Sequence, residues 1–576
     1  MRFGPKAYAL SYWLTGLAAL IYALWAASRR SWVCDDAFIS FRYAENLVQG
    51  LGLVFNQAER VEGYSNFLWT LWSGLGLWLG ADVERWATTA GILCYVAALA
   101  LLVWNSWTTR RDQSGLAPWI PVAAMLGALH PDWNHFATGG LETSLFTLQI
   151  TVVYVLLVHG DVGRARVLGV GLLLALAAMT RPDGVVIAAA TALYVLWADS
   201  RRPRALLSLL GGFLVAWLPY TLWRVAYFGE FFPNTYYAKS AAMPWYSQGA
   251  AYISLYAARY WPLVLGLVLV AVAWFRSARE DDPARSAAVA RWRRRVLLAA
   301  ALVIAYTAFV LRVGGDFMFA RFMIPITPLL LVLFELGITG VGEHRARAGW
   351  VLAGAAAAGI LFTPYPIPFR AFGSIRGIVF EPKYYSAEAT DRAKGQGLAL
   401  RPFFQGLPVC VAFFGGEARM VYYARPRTAI ECTTGLTDRR IARQPLEKRT
   451  RVGHEKLADV GYVIGERGAH VAFFRGASDV LRLSREVPLV DIEMAGVPGR
   501  VLNWDAAVLD SLRGRGAVIQ DFPLELDGLL AAPTPEHGML PWFTREKLHR
   551  FYFRHVSDPD REATFRKRLL ERQERP

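Results

Sequence analysis

Cysteine is scarce, with four in 576 residues. None forms a Cys-x-x-Cys pair, so neither a zinc-ligand spacing nor a redox dithiol is available. No Gly-rich loop runs into Lys-Ser/Thr, and no dinucleotide fingerprint occurs, which removes the two commonest nucleotide cradles. Acidic residues are outnumbered, 46 against 62 Lys plus Arg, for a net charge of +16. Nucleic-acid binding is one reading of that excess. It is set aside because many arginines sit in short loops between apolar runs, where they set membrane topology. Long apolar runs are themselves missing after residue 363.

Before that point they dominate. The chain is 55% hydrophobic, and apolar stretches recur from Tyr8 to Phe362, each about the 15–25 residues needed to cross a hydrocarbon core. Arg2 and Lys6 precede the first, which runs to Ala27. Its length, and Asp35-Asp36 close behind it, favour an uncleaved first span over a secretory signal. The expected architecture is a polytopic α-helical membrane domain over 1–363, with a large first outer loop at 29–84. A small extracytoplasmic α/β domain follows over 364–576.

The expected spans are 8–28, 85–107, 117–130, 141–159, 166–180, 184–198, 205–224, 253–275, 296–312, 321–341 and 349–363. The run 66–80, with Trp69, Trp72 and Trp78, suits an interfacial helix. Leaving it out gives about eleven spans, with the N-terminus cytoplasmic and the C-terminal domain periplasmic or extracellular. Arg110-Arg111, Arg164 and Arg166, Arg201, Arg202 and Arg204, the stretch 276–295, and Arg345 and Arg347 then all face inward, as basic loops do. Arg29-Arg30 are the exception. The chain is expected in the bacterial cytoplasmic (inner) membrane.

On this topology the chemically rich segments all face outward. They are Asp35-Asp36 through Tyr43 and on to Glu62-Gly63-Tyr64; Asp132-Trp133-Asn134-His135 with Gly140-Leu141-Glu142; Thr180-Arg181-Pro182-Asp183-Gly184; Phe232-Pro233-Asn234-Thr235-Tyr236-Tyr237-Ala238-Lys239; and Arg312, Gly314-Gly315-Asp316 and Arg321. Charges at span ends are costly unless paired, hydrated or functional. Each segment also has a plainer reading. Arg181-Pro182-Asp183-Gly184 and Gly314-Gly315-Asp316 are good turns, Glu142 suits a helix N-terminus, and His135 suits a bonded loop. Two adjacent acids directly after a first span gain little as structure.

The ordered set resembles the terminal β-(1→2) arabinofuranosyltransferases of the mycobacterial cell wall and their proteobacterial relatives. The likeness rests on Asp35-Asp36-Ala-Phe-Ile-Ser-Phe-Arg-Tyr, Gly-Leu-Val-Phe-Asn, Val-Glu-Gly-Tyr-Ser-Asn-Phe-Leu-Trp and the segments above, with Val452-Gly453-His454-Glu455-Lys456 in the soluble part. It implies a type C glycosyltransferase that takes a sugar from a polyprenyl phosphate, such as decaprenyl- or undecaprenyl-phosphoryl arabinofuranose. The acceptor would be an exported glycan, glycolipid or protein. Nothing in the sequence specifies a mycobacterial arabinan as that acceptor.

Such a transfer needs a base for the acceptor hydroxyl. Asp35 or Asp36 suits it, with Asp36 favoured and its neighbour orienting substrate or a cation. It needs positive charge where the phosphate leaves; Arg181, Lys239, Arg312 and Arg321 are candidates. Tyr64, Tyr236 and Tyr237 offer faces for the sugar, and Glu142, Asp183, Asn234, Asp316 and His454 are further substrate-binding candidates. By analogy with glycoside hydrolysis the transition state is oxocarbenium-like, and one displacement inverts the anomeric centre. No cofactor is required. A divalent cation (Mg²⁺, Mn²⁺ or Ca²⁺) would find hard oxygen donors in Asp35, Asp36, Glu142 and Asp316. Asp558-Pro559-Asp560 has the Asp-x-Asp form of nucleotide-sugar enzymes, but in a charged tail and on the wrong side for a nucleotide. A lipid or sugar transporter or flippase without transfer chemistry is the alternative; the midplane binding groups and repeats typical of transporters are not read here.

In the soluble part, 409–414 and 428–430 read as strands, and 386–400 and 438–443 as helices. Cys410 and Cys432 are candidates for a disulfide in an oxidising compartment. From Arg545 the chain reads as a charged helical tail at the solvated surface.

Overall fold

A computed structural model describes residues 5–111, 120–159, 163–198, 202–277, 283–342, 346–367, 373–446, 448–474, 483, 487–488, 490–531 and 545–573. Of the arginines assigned to inward loops, Arg201, Arg279 and Arg345 lie outside the described residues, as does the start of the expected span 117–130.

Sixteen helices occupy the described residues up to Phe362: α1 Pro5–Arg29, α2 Ala37–Val48, α3 Phe67–Trp78, α4 Val83–Arg111, α5 Val122–Leu129, α6 Pro131–Phe136, α7 Thr143–Val158, α8 Arg164–Thr180, α9 Gly184–Ala198, α10 Arg202–Phe228, α11 Asn234–Ala238, α12 Tyr246–Arg259, α13 Trp261–Ser277, α14 Pro283–Val313, α15 Thr327–Gly342 and α16 Ala346–Phe362. Each expected span overlaps a helix, though 117–130 meets only the eight-residue α5. Among the described residues, α1, α4, α10 and α14 are long and apolar enough to cross a membrane alone, and α12 with α13 makes a fifth candidate bent by 89°. The expected span 253–275 runs through that bend. Tyr260 is outside both helices, and Pro262, which lacks an N–H, sits in the first turn of α13 where no partner is needed. The helices α7, α9, α15 and α16 are shorter apolar ones. At 12 residues, α3 is too short to cross. Along α1, Leu10, Leu14, Leu17 and Ile21 are more than half exposed, a face suited to lipid rather than water.

The chain forms two compact units. The first comprises Met1–Ala37, Ser65–Phe231 and Ala241–Ser386; the second comprises Phe38–Tyr64, Phe232–Ser240 and Ala387–Pro576. The boundary after the helices thus falls at Ser386 rather than at 363. Most of α2, and all of α11, group with the C-terminal part.

The second unit carries a six-stranded mixed sheet of strands β1 Cys410–Phe414, β2 Thr428–Glu431, β3 Val471–Phe474, β4 Val490–Met494, β5 Val497–Val501 and β6 Val518–Ile519, in the order β2-β1-β3-β5-β4-β6. β1 pairs parallel with β2 and β3, while β4 and β5 form an antiparallel hairpin. Helices α17 Ala387–Phe404 and α19 Arg439–Ala442, with β1 and β2, agree with the elements read from sequence, while α18 Ala418–Ala424 and α20 Val460–Gly465 were not read there. β1 is buried along its whole length, which explains its unbroken apolar run. Phe404 of α17 meets Phe473 of β3 edge-on at 6.4 Å.

Two expectations are corrected. Cys410 and Cys432 are not joined in a disulfide. Cys410 pairs in register with Thr428, so Cys432 lies four residues further along the neighbouring strand. That is about 13 Å at the rise of a strand, well beyond disulfide reach. The C-terminal tail is helical but not simply solvated: Leu548, Phe551, Tyr552 and Phe565 belong to the hydrophobic core. Trp504 and Phe522 receive the Phe551 and Tyr552 rings.

Candidate active site

In the first unit, sharp turns at helix ends bring charged side chains together. Helix α8 stops because Arg181 turns to extended backbone, and the turn closes through Gly184 N to Arg181 O at 2.9 Å. A Cβ on Gly184 would come within 2.6 Å of the Ala178 nitrogen, so the glycine allows α9 to start against α8. After α14, Gly314 and Gly315 take φ of +91° and +74°, the left-handed region that favours glycine.

Glu142, ahead of α7, is the hub. Its Oε1 accepts from Arg181 Nη1 at 3.2 Å and from Arg321 Nη2 at 3.4 Å, and its Oε2 accepts from Asn66 Nδ2 at 3.0 Å. Arg181 Nε and Nη2 donate to Asp183 at 3.0 Å, and Tyr306 of α14 donates to the same carboxylate at 2.6 Å. Arg321 Nη1 donates to Asp316 at 3.4 Å. Its Nε is buried and makes no hydrogen bond to any described residue. Phe322 lies under the Arg181 guanidinium at 4.8 Å. All five charged groups are less than a tenth exposed. Burial pushes the Glu142 carboxyl up, but Arg321 and Arg181 outweigh it and hold the group below its ordinary value.

Asp35 and Asp36 follow α1 on a segment fixed by Cys34 N to Gly139 O at 3.0 Å and Trp32 Nε1 to His135 O at 2.7 Å. Asp35 is buried. Asp36 is within electrostatic reach of Arg321, so the acid pair and the arginine network share one neighbourhood. Two residues absent from the sequence reading join them. Tyr385 stacks obliquely on Trp32 at 5.5 Å and donates to Glu381 at 3.1 Å; its hydroxyl feels Cys34, Glu381, Asp35 and Asp36. Their segment reaches the site because Val379 forms an isolated bridge to Met318, Phe319 N to Val379 O at 2.9 Å and Val379 N to Phe317 O at 2.8 Å.

Tyr252 of α12 was also missed. Its hydroxyl accepts from Phe322 N and donates to Met318 O, both at 3.0 Å, and its ring would clash with a Cβ on Gly315. It therefore pins the loop that carries Asp316 and Arg321. Arg312, by contrast, is exposed and donates to Ala241 O at 3.4 Å.

Asp132 heads a separate buried network in the same unit. It accepts from Tyr260 at 2.5 Å and Tyr365 at 3.1 Å. Burial lifts its pKa to about 6, against the pull of those hydroxyls and Arg259. His135 is a bonded loop histidine, its Nδ1 2.8 Å from Pro131 O.

The remaining candidates lie in the second unit. Asn234 Nδ2 donates to Gly435 O, Leu436 O and Asp438 O at 2.9, 2.8 and 3.3 Å, and its backbone N donates to Glu62 O at 3.0 Å. Its Nδ2 thus fixes a loop, while its Oδ1 is buried without a hydrogen bond to any described residue. Tyr64 is buried edge-on against Tyr43 at 4.8 Å. Tyr236 stacks on Phe232 at 4.3 Å, and Tyr237 lies under the Arg443 guanidinium at 4.4 Å. The carbonyl of half-buried Lys239 accepts from Arg449, which Glu455 pairs at 2.8 Å. His454 Nδ1 lies 3.3 Å from Val452 O.

Among the described residues no three His, Cys, Asp or Glu side chains converge as a metal shell, so no step is routed through a cation. What the first unit offers is a buried set of acids with two guanidiniums among them, one with an N–H to spare. That arrangement can hold an anion and place a base beside it.

No protein-family model matches the chain. A terminal beta-(1->2)-arabinofuranosyltransferase of Mycobacterium tuberculosis is 30% identical over 353 residues, 57% of this chain and 56% of that protein. One of the same name from Corynebacterium glutamicum is 30% identical over 381 residues, 60% of this chain and 53% of that protein. The chain thus spans about half the length of the curated relatives it matches. Among solved structures, ArnT from Cupriavidus metallidurans bound to undecaprenyl phosphate covers 88% of this chain and 99% of its own, with a TM-score of 0.54 and 12% identity. Its apo state covers 86% and 98%, at 0.50 and 13%. The fold is that of ArnT, with a multi-pass helical membrane unit and a small sheet-containing unit.

Proposed function

We propose that the chain is a membrane glycosyltransferase that moves a sugar, arabinofuranose, from a polyprenyl phosphate to an exported glycan, lipid or protein acceptor. The observation that carries this reading is the buried chain Asp183–Arg181–Glu142–Arg321–Asp316 next to Asp35-Asp36. The acceptor oxygen attacks the anomeric carbon, and its proton passes to Asp36. The bond from that carbon to the phosphate oxygen breaks, and the electron pair leaves on the polyprenyl phosphate. Arg321 and Arg181 meet the charge that develops there, already aligned by Glu142. One displacement inverts the centre. The relatives' names support the sugar, and the lipid bound to ArnT supports the carrier.

In this reading the protein sits in the bacterial cytoplasmic membrane, N-terminus inside and second unit outside, as the arginine-rich loops suggest. An Ala507→Cys variant, exposed on the helix Ala506–Gly514, should react with a membrane-impermeant thiol reagent in spheroplasts. Protection there would reverse the orientation. The function itself is tested with purified protein, synthetic polyprenyl-phosphoryl arabinofuranose and envelope glycan fractions, with and without EDTA. Transfer is expected in both. Loss on chelation, restored by Mg²⁺, would add a cation to the scheme, and turnover only with another lipid-linked sugar would remove arabinose.

A further inference from the structure

Helix α12 joins the Asp132 network to the loop that carries Arg321. Tyr252, Tyr256 and Tyr260 recur at every fourth residue, the spacing that places side chains along one helix face. The first two lie within α12. Tyr260 N still donates to Tyr256 O at 2.8 Å, so helical bonding continues to the bend. All three tyrosines are buried, and a buried hydroxyl needs a partner. Their partners turn the face into a ladder.

At one end, Tyr260 donates to one Asp132 oxygen at 2.5 Å, and Tyr365 donates to the other at 3.1 Å. Arg259 supplies a cation beside them, its guanidinium 4.8 Å from the Tyr260 ring and 4.6 Å from the Tyr365 ring, with Nη1 donating to Ile360 O at 2.9 Å. His130 stacks on Tyr260 at 3.9 Å. Its Nδ1 accepts from Trp133 N at 3.1 Å, so the ring proton sits on Nε2. Nε2 therefore donates to the Tyr256 hydroxyl at 3.2 Å. Tyr256 passes its own proton to Thr327 Oγ1 at 2.7 Å, and Thr327 donates to Met323 O at 2.9 Å. At the other end, Tyr252 accepts from Phe322 N and donates to Met318 O. Two rungs thus hold the loop at Met318, Phe322 and Met323, and the third ends on Asp132. The Tyr252 hydroxyl lies within electrostatic reach of Asp132 as well as of Asp316 and Arg321.

We propose that Asp132 is a positioning residue for Arg321, setting the place of the phosphate clamp through this tyrosine ladder. The carboxylate fixes Tyr260, the Tyr260 ring fixes His130, and His130 directs the hydrogen bonds of Tyr256 toward the loop. The proposal rests on the glycosyltransferase reading for what the clamp does. Where the loop sits is measured without any sugar, so the two can fail separately.

The test is hydrogen–deuterium exchange of the full-length protein in detergent, comparing wild type with Asp132→Asn and Tyr260→Phe. Peptides covering 316–323 should exchange at least about tenfold faster in both variants, while peptides from α10 exchange as in wild type. In the transfer assay both variants should lose about tenfold in kcat with the acceptor KM unchanged, because the clamp meets the leaving phosphate and not the acceptor. Unchanged loop exchange in the folded variants would overturn the proposal. So would an equal rise in α10, which marks general loosening, or a loss carried entirely by the acceptor KM. Should Asp132→Asn not fold, Tyr260→Phe, which keeps the ring against His130, decides alone.

Discussion

Replacing Glu142 by glutamine removes one charge and almost no volume, so it isolates what the hub carboxylate does for the two arginines. Arg181 keeps its two-pronged contact with Asp183 at 3.0 Å, and stays in place. Arg321 keeps Asp316 at 3.4 Å and the weak acceptor Met318 Sδ at 3.7 Å. The disturbance therefore falls on Arg321, the guanidinium with a spare N–H. A charge-assisted hydrogen bond contributes about 1.5–3 kcal/mol, and the glutamine oxygen still accepts, so stability should fall by about 1–2 kcal/mol. Catalysis should suffer more, because a phosphate clamp displaced by about 1 Å costs on the order of 100-fold. The assay is transfer from a lipid-linked sugar under kcat/KM conditions, with thermal unfolding in the same detergent. Activity within threefold of wild type and an unchanged melting temperature would refute the hub.

Other outcomes follow from the same geometry. Tyr252→Phe keeps the ring against Gly315 but strands Phe322 N, and should lower kcat about tenfold with the acceptor KM unchanged; an equal rise in acceptor KM would count against a positioning role. Asn234→Ala removes a side chain that serves three carbonyls, and should lower stability by about 1–3 kcal/mol. If it leaves melting unchanged and raises KM instead, Asn234 is a substrate ligand. The Glu142 carboxyl is depressed in the fold, so its contribution is present above the ordinary Glu pKa of about 4.3 and is lost as pH falls through the lower folded value. Melting temperature should drop below about pH 4.3, less steeply in Glu142→Gln; equal slopes would contradict the shift.

Much of this was legible from sequence because it is local. Apolar runs mark helices wherever the surrounding medium is lipid, and turns such as Arg181-Pro182-Asp183-Gly184 announce themselves through Pro and Gly. The charged residues of the first unit could be gathered because each sits at the end of an apolar run. What escaped depends on partners far away in sequence. Glu381 and Tyr385 lie beyond the last apolar run and read as soluble; the bridge between Val379 and Met318 brings them to the acids. Tyr252 looks like any helix aromatic until Gly315 is placed against it. Asn234, Tyr64 and Tyr236 read as sugar contacts by type; in the second unit Asn234 Nδ2 holds loop carbonyls, Tyr64 packs on Tyr43 and Tyr236 stacks on Phe232. The tail from Arg545 hid Phe551 and Tyr552 among charges, and only the aromatic pocket of Trp504 and Phe522 gives them an interior.

The central claim is that acids behind the first membrane helix perform sugar transfer beside an arginine pair. It is met most directly by single-turnover transfer of radiolabelled arabinofuranose from its polyprenyl phosphate, comparing wild type with Asp36→Asn, Asp35→Asn and Arg321→Gln. The account predicts an inverted product from wild type, loss of at least about 100-fold in Asp36→Asn and Arg321→Gln, and a folded protein in each case. Wild-type rates in both aspartate variants, or lipid movement across the membrane with no new glycosidic bond, would contradict it.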